Sequence, residues 1–260
     1  MRGLSLYFLF MDRVLSGFIW FVTIVIVCLG LLYVSAVWLA TAAWDRGRYY
    51  AGRAFRHLAV AQVKLNPLWH FEIDGALPDN PRNPYVAVSN HESYADIFLI
   101  SHFPWEMKWL SKKAVFNIPV MGWMMRMAND VPLIRGKRES VVNALAECRD
   151  RLEKKVSVLI FPEGTRSKTT DLLPFKDGAF KLAIQAGVPI LPIAVAGTRH
   201  CMAKNSFIFR KATAKARVLP PVPTEGLTDA DVAKLREDVK ARIDNARQEL
   251  LKELGITAAA

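Results

Sequence analysis

A chain of 260 residues is long enough for one sizeable α/β domain with an accessory segment. It is 52% hydrophobic with a mean hydropathy of +0.16, high for a purely soluble protein, and its formal net charge of +11 points to anionic partners: nucleic acid, anionic membrane or phosphorylated substrates. Its three cysteines, Cys28, Cys148 and Cys201, are scattered and form no CxxC pair, which speaks against a zinc site and for reduced thiols.

From Val14 to Trp44 no residue is charged. As a helix this run would measure roughly 46 Å, ample for one crossing of a hydrocarbon core about 30 Å thick and too short for two. It also exceeds the apolar stretch of about 7–15 residues in a secretory signal. A tilted span and a bent helix lying in the interface both remain open, with Gly17 and Gly30 as places for a bend. Arg2 and Arg13 precede the run, whereas Arg46, Arg48, Arg53, Arg56 and Lys64 follow it. The positive-inside tendency places the residues after the run in the cytoplasm.

The next segment repeats Tyr50, Ala54, Leu58, Ala61 and Leu65 at helical spacing, with Arg46, Arg53, His57 and Lys64 beside that stripe. It reads as an interfacial helix, apolar side in lipid and basic side toward headgroups. A helix packed on the main domain with a solvated basic flank is the alternative. Pro67 and the turn-rich stretch 74–84 mark entry to a new domain.

Beyond it, apolar runs at 85–89, 156–161, 189–197 and 212–221 read as strands. Helical patterns lie between them at 94–103, 118–128, 138–154 and 176–186. This alternation predicts an α/β fold with a central, mostly parallel sheet flanked by helices, preceded by the N-terminal membrane-associated helical segment. The tail is a further amphipathic helix, capped by Thr228 and Asp231, stopped by Gly255, and packed through Val232, Leu235, Val239, Ile243, Ala246 and Leu250. The predicted organisation is therefore residues 1–66 as membrane anchor, 67–227 as main domain and 228–260 as a helix packed on it.

Within VAVSNHESYADIFLI (86–100), His91 and Asp96 stand five residues apart. Such residues diverge by roughly 140° on a regular helix, so they meet only if His91 lies on a turn and Asp96 in the first helical turn. The sequence permits this: a strand ends at Ser89, Asn90 and Ser93 are good N-caps, and Ser93 and Asp96 have capping-box spacing. A histidine held by a carboxylate is a general base. Taken alone the spacing is a weak signal, and Asp96 as a plain capping carboxylate is the competing account. A second constellation follows a strand at VSVLIFPEGTRS (156–167), where Gly164 permits close backbone approach and Arg166 suits bidentate phosphate binding. No serine lies in a G-x-S-x-G elbow, and no metal-ligand or organic-cofactor motif is present.

Together NHESYAD and FPEGTRS resemble the glycerolipid acyltransferase family, and more narrowly the 1-acyl-sn-glycerol-3-phosphate acyltransferases. SKKAVFNIPVMGWMMRMANDVPLIRG (111–136), FKDGAF (175–180) and GVPILPIAVAGT (187–198) agree with further blocks of that family in the right order, over roughly residues 70–220. The resemblance implies that 67–227 is a catalytic domain, with His91 and Asp96 as the catalytic pair. It implies that Arg135, Glu163, Gly164, Thr165 and Arg166 serve the acceptor phosphate. Glu163 is odd in that company, since a carboxylate repels phosphate, and orienting Arg166 or the loop backbone suits it better. Glu92 departs from the family's more usual neutral residue, and Asp177 adds an acid. Lys112 and Lys113 are candidate contacts to the donor or to lipid, with a solvated basic surface as the alternative. The methionines of VMGWMMRM line an acyl groove or pack a core.

The implied reaction moves an acyl group from acyl-CoA or acyl-carrier protein to lysophosphatidic acid, giving phosphatidic acid at the cytoplasmic face of a membrane. It needs no cofactor and no nucleic acid. Acylation of another lysolipid or of an amino-acid lipid, and a non-catalytic membrane-anchored lipid-binding protein, are the alternatives.

Overall fold

The computed structural model describes residues 2–167, 171–202 and 206–256. The apolar N-terminus forms one continuous helix, α1 (Arg2–Thr41). It begins earlier than the uncharged run, at roughly 60 Å is longer than expected, and does not break at either glycine. Gly30 instead lets a second helix, α2 (Tyr49–Lys64), approach, since a Cβ there would lie 2.3 Å from Leu58 Cδ1. A stripe of α1 (Ser16, Ile19, Gly30, Val34, Thr41) is buried at helical spacing, while Phe18, Phe21, Ile24, Leu29, Leu32 and Leu39 are exposed on the other side.

The main domain is a seven-stranded sheet, with strands β1 (Trp69–Gly75), β2 (Val86–Ser89), β3 (Met107–Lys112), β4 (Val131–Leu133), β5 (Ser157–Ile160), β6 (Ile190–Ala196) and β7 (Ala212–Val218). Their spatial order is β1-β7-β6-β2-β5-β3-β4, and every pairing is parallel except β6 with β7. The four expected strands are β2, β5, β6 and β7. The two outermost strands β1 and β4, and β3 beside β4, were not expected. Side chains alternate across the sheet. Val86, Val88, Val158 and Ile160 face α5 (Arg138–Glu153), α6 (Gly178–Ala186) and α7 (Val232–Glu253). Ala87, Leu159, Ile193 and Val195 face Leu99 and Ile100 of α3 (Ala95–Ile100) together with Phe103 and Trp105. All six predicted packing residues of α7 are buried, and its Thr228–Asp231 capping box is present.

α2 packs on its neighbours along part of its stripe, as the second of the two readings had it. Tyr50 and Leu65 are exposed, but Ala54 is buried in a cluster with Val34 of α1 and Met124 of α4 (Met121–Met127). This makes the methionine segment a packing element. Arg53, counted above as a headgroup cation, donates to the carbonyls of Phe103 (2.7 Å) and Trp105 (3.3 Å). Arg56, one of the five cations that follow the apolar run, is buried with Glu106, Lys108 and Asp130. It pairs with Asp130 and lies 3.4 Å from Glu106, whose same oxygen accepts from Lys108 at 3.0 Å. Two positive and two negative groups cancel, as burial demands. Gly52 faces this quartet, and a Cβ there would lie 2.1 Å from Glu106 Oε1 and 2.5 Å from Lys108 Nζ. Gly52→Ala would gain about 1 kcal/mol of helix propensity. Overpacking against fixed charges costs about 1–3 kcal/mol or more, so the melting temperature is expected to fall. An unchanged or raised midpoint would show that the quartet yields.

Candidate functional site

The site lies where the parallel strands end, as usual in α/β sheets. Val88 of β2 pairs with Ile160 of β5, Leu159 pairs with Trp109 of β3, and Leu110 pairs with Val131 of β4. Val88, Ile160, Leu110 and Val131 therefore share one rung. His91, Glu163 and Lys113 each stand three residues past it, with Lys112 one residue before Lys113 and Arg135 four past Val131. The motifs thus form a row along one edge, with Arg135 three strands, or roughly 14 Å, from His91. Lys112, Lys113 and Arg135 are exposed.

His91 lies on the loop after β2 and Asp96 in the first turn of α3, the geometry their spacing required. His91 Nδ1 is 2.6 Å from Asp96 Oδ2, and Asp96 is fully buried. The same oxygen accepts from the backbone N–H groups of Glu92 (2.8 Å) and Ser93 (3.0 Å), and Oδ1 accepts from the Thr198 hydroxyl. This saturated carboxylate fixes the proton on Nδ1 and leaves Nε2 to act. The imidazole stacks on Phe161 at 4.2 Å between centroids. The capping box is only half made, since the Ser93 hydroxyl accepts from Ala95 instead. Asn90 is no cap; its amide pairs with both backbone groups of Val195 (2.9 and 2.8 Å), locking the end of β2 to β6.

Glu163 binds loop backbone: Oε1 accepts the His91 N–H (2.7 Å) and Oε2 the Leu173 N–H (3.0 Å). It ties the two motifs together. Burial pushes its carboxyl above the ordinary value, against the lowering by those two donors. Gly164 has φ +70, and a Cβ there would meet Lys176 Nζ at 2.6 Å, so the FKDGAF lysine lies against this loop. Thr165 is exposed, and the Arg166 guanidinium lies 3.9 Å over the Tyr94 ring. Asp177, the extra acid, pairs with Arg236 of α7.

Thr198, Phe161 and Lys176 were not singled out from sequence. Neither was Arg247 of α7, buried and 3.8 Å from Glu92. Glu92 is itself pushed up to about 7, first by burial and then by Asp96, with Glu163 adding and Arg199 and Arg247 opposing. A carboxyl raised on folding makes the folded state bind the extra proton. Its contribution is therefore favourable below its unfolded value of 4.5 and lost as pH rises toward about 7. That loss is on the order of 3 kcal/mol. Glu92→Gln is expected to flatten the fall in stability between these two pH values. An identical slope in wild type and variant, measured by thermal unfolding, would refute the assignment.

A histidine base on a buried carboxylate, beside a loop bearing Arg166 and Lys176, defines the class: an α/β protein equipped to deprotonate a hydroxyl next to an anionic group. No cluster of three or more His, Cys, Asp or Glu among the described residues is arranged to hold a metal. The family model described as Acyltransferase matches residues 70–196. The chain is 41% identical over 159 residues to the chloroplastic 1-acyl-sn-glycerol-3-phosphate acyltransferase BAT2 of Brassica napus, covering 59% of this chain and 46% of that one. It is 34% identical over 197 residues to the 1-acyl-sn-glycerol-3-phosphate acyltransferase alpha of Homo sapiens, covering 75% and 70%. The chain thus spans about half the length of the Brassica relative. The crystal structure of the 1-acyl-sn-glycerophosphate (LPA) acyltransferase PlsC from Thermotoga maritima shares the fold, with a TM-score of 0.71 at 24% identity over 96% of this chain and 98% of that one. This protein belongs to the 1-acyl-sn-glycerol-3-phosphate acyltransferase family.

Proposed function

We propose that the chain is an O-acyltransferase that moves a fatty acyl group from an acyl thioester to the free hydroxyl of 1-acyl-sn-glycerol 3-phosphate, yielding phosphatidic acid. The observation that carries this is the His91–Asp96 pair, with one ring nitrogen engaged by a buried carboxylate. The acceptor hydroxyl hydrogen-bonds to Nε2, and His91 takes its proton as the oxygen attacks the thioester carbonyl. The tetrahedral adduct collapses, the carbon–sulfur bond breaks, and the thiolate leaves and takes the proton from the imidazolium. Arg166, with Lys176 near it and Arg135 further along the edge, meets the acceptor phosphate. Lys112 and Lys113, at the end of β3 between them, meet donor or lipid phosphates. The donor is acyl-CoA or acyl-carrier protein, and the resident residues need no cofactor.

The same reading places the protein on a membrane. α1 has 30 residues, Asp12–Thr41, of sufficient length and apolarity to cross a bilayer. Yet it packs on the rest of the protein from Ser16 to Thr41, so a crossing would drag α2 and α4 inside. Attachment to one leaflet through its exposed apolar side avoids burying those charges, with the site edge at the cytoplasmic surface.

The test is a panel of donors and acceptors given to the purified protein in mixed micelles, with products read by lipid mass spectrometry. Phosphatidic acid from lysophosphatidic acid is expected. Preference for another lysolipid would move the acceptor assignment, and no transfer from any thioester would end it.

A further inference from the structure

Apart from the His91 site, the same edge of the sheet holds a second groove, of about 400 Å³, lined among others by Lys64, Asn66, Trp69, His70, His102 and Lys211. Because β6 and β7 are antiparallel, β7 and its neighbour β1 start where β2 and β5 end. β1 is three strand positions from β2, roughly 14 Å, so this groove does not belong to the His91 row.

Its chemistry is incomplete. Asn66 is 2% exposed and Trp69 7% exposed, and the Nδ2 of one and the Nε1 of the other are buried donors without an acceptor among the described residues. The Asn66 amide is not reversible, because its Oδ1 accepts from the Leu68 N–H at 3.0 Å. An unmatched buried donor is costly, and the two side chains that carry these donors both line the groove, so they call for an explanation. His70 is already engaged with Glu72 at 3.0 Å, and Lys64 and Lys211, also in the groove's lining, have no carboxylate partner among the described residues. His102 gives Nδ1 to the Phe98 carbonyl (2.8 Å), and burial, with the Lys64 charge adding, pushes it below its ordinary value. The missing partner is therefore an acceptor with negative charge. Its source follows from position: Val63, Leu68 and Trp69 of the groove share an apolar cluster with Leu15, Ile19 and Trp20 of α1, whose far side is the exposed apolar face.

We propose that this groove binds the phosphate of an anionic phospholipid in the surrounding leaflet, at a site separate from the acyl acceptor's. The proposal rests on the membrane attachment argued above, and the experiment separates the two.

Full-length protein is floated with phosphatidylcholine vesicles, and with vesicles containing phosphatidylglycerol, with and without inorganic phosphate. Wild type is expected on both and more tightly on the anionic ones. Lys64→Gln with Lys211→Gln should lose roughly 10–30-fold of affinity for the anionic vesicles and little for the neutral ones. Asn66→Asp keeps the acceptor for Leu68 but sets a carboxylate where the donor was, and should weaken anionic binding in the same direction. Lys234→Gln with Lys252→Gln, two exposed lysines on α7, is the control and should change affinity less than twofold. Acyl transfer in neutral micelles, unchanged in the Lys64/Lys211 variant, certifies its fold. Equal losses in the two lysine pairs, no loss in either, or full displacement by inorganic phosphate would each overturn the lipid site. Wild type that floats with neither vesicle would overturn the membrane attachment first.

Discussion

A His91→Ala protein is expected to lose acyl transfer by about 10²-fold or more, the scale on which a general base contributes, while remaining folded. Asp96 is buried and already accepts from Glu92, Ser93 and Thr198, so the loop keeps three of its four ties to that carboxylate without the imidazole. Asp96→Asn should fall into the same range or beyond, about 10²–10⁴-fold in kcat, because an amide cannot stabilise the imidazolium and presents the wrong tautomer to Nδ1. The two effects should not add, since both residues serve one proton transfer. Steady-state kinetics with circular dichroism decides it: near-normal kcat in His91→Ala would sink the mechanism.

Arg166→Lys should lower kcat/KM on lysophosphatidic acid by roughly 10–100-fold. Lysine keeps the charge but loses both the planar fork and the stack on Tyr94, which lies three residues from His91. The guanidinium is thus aligned by the loop that carries the base, and losing the stack should misplace the charge. A neutral lysolipid should suffer less. Equal losses on both acceptors would remove Arg166 as the reader of phosphate, leaving Arg135 and Lys176 as the candidates.

What was legible in the sequence was what is local. Residues 91 and 96 meet across one turn, so spacing alone stated the geometry they needed. The α7 face and its cap are likewise written within a few residues of each other. That Glu163 would hold loop backbone was one of two roles its charge suggested, but its partner was not legible, because that partner is a backbone N–H 72 residues away and no side-chain pattern records it. Arg56 counted in the sequence only as one of five cations after the apolar run. Its burial was not legible for the same reason, because its counter-ions lie 50 and 74 residues on. β1 did carry a period-two signal in Trp69, Phe71 and Ile73, but turn residues on both sides outweighed it. β4, at three residues, is too short for any periodicity to show.

The Arg56 quartet also bears on the order in which the molecule is assembled. α1 and α2 are synthesised before the sheet, yet the carboxylates that make burial of Arg56 tolerable belong to residues 106 and 130. Until both have emerged, α2 carries a charge that no interior will accept. It must stay at a surface while the apolar side of α1 is already seeking lipid. The helices therefore meet their environment before they meet their domain, and closing the quartet is the step that converts two tethered helices and a half-made sheet into one body. Domains generally fold as units from the N-terminus during synthesis; here α1 and α2 have to wait for residues 106 and 130.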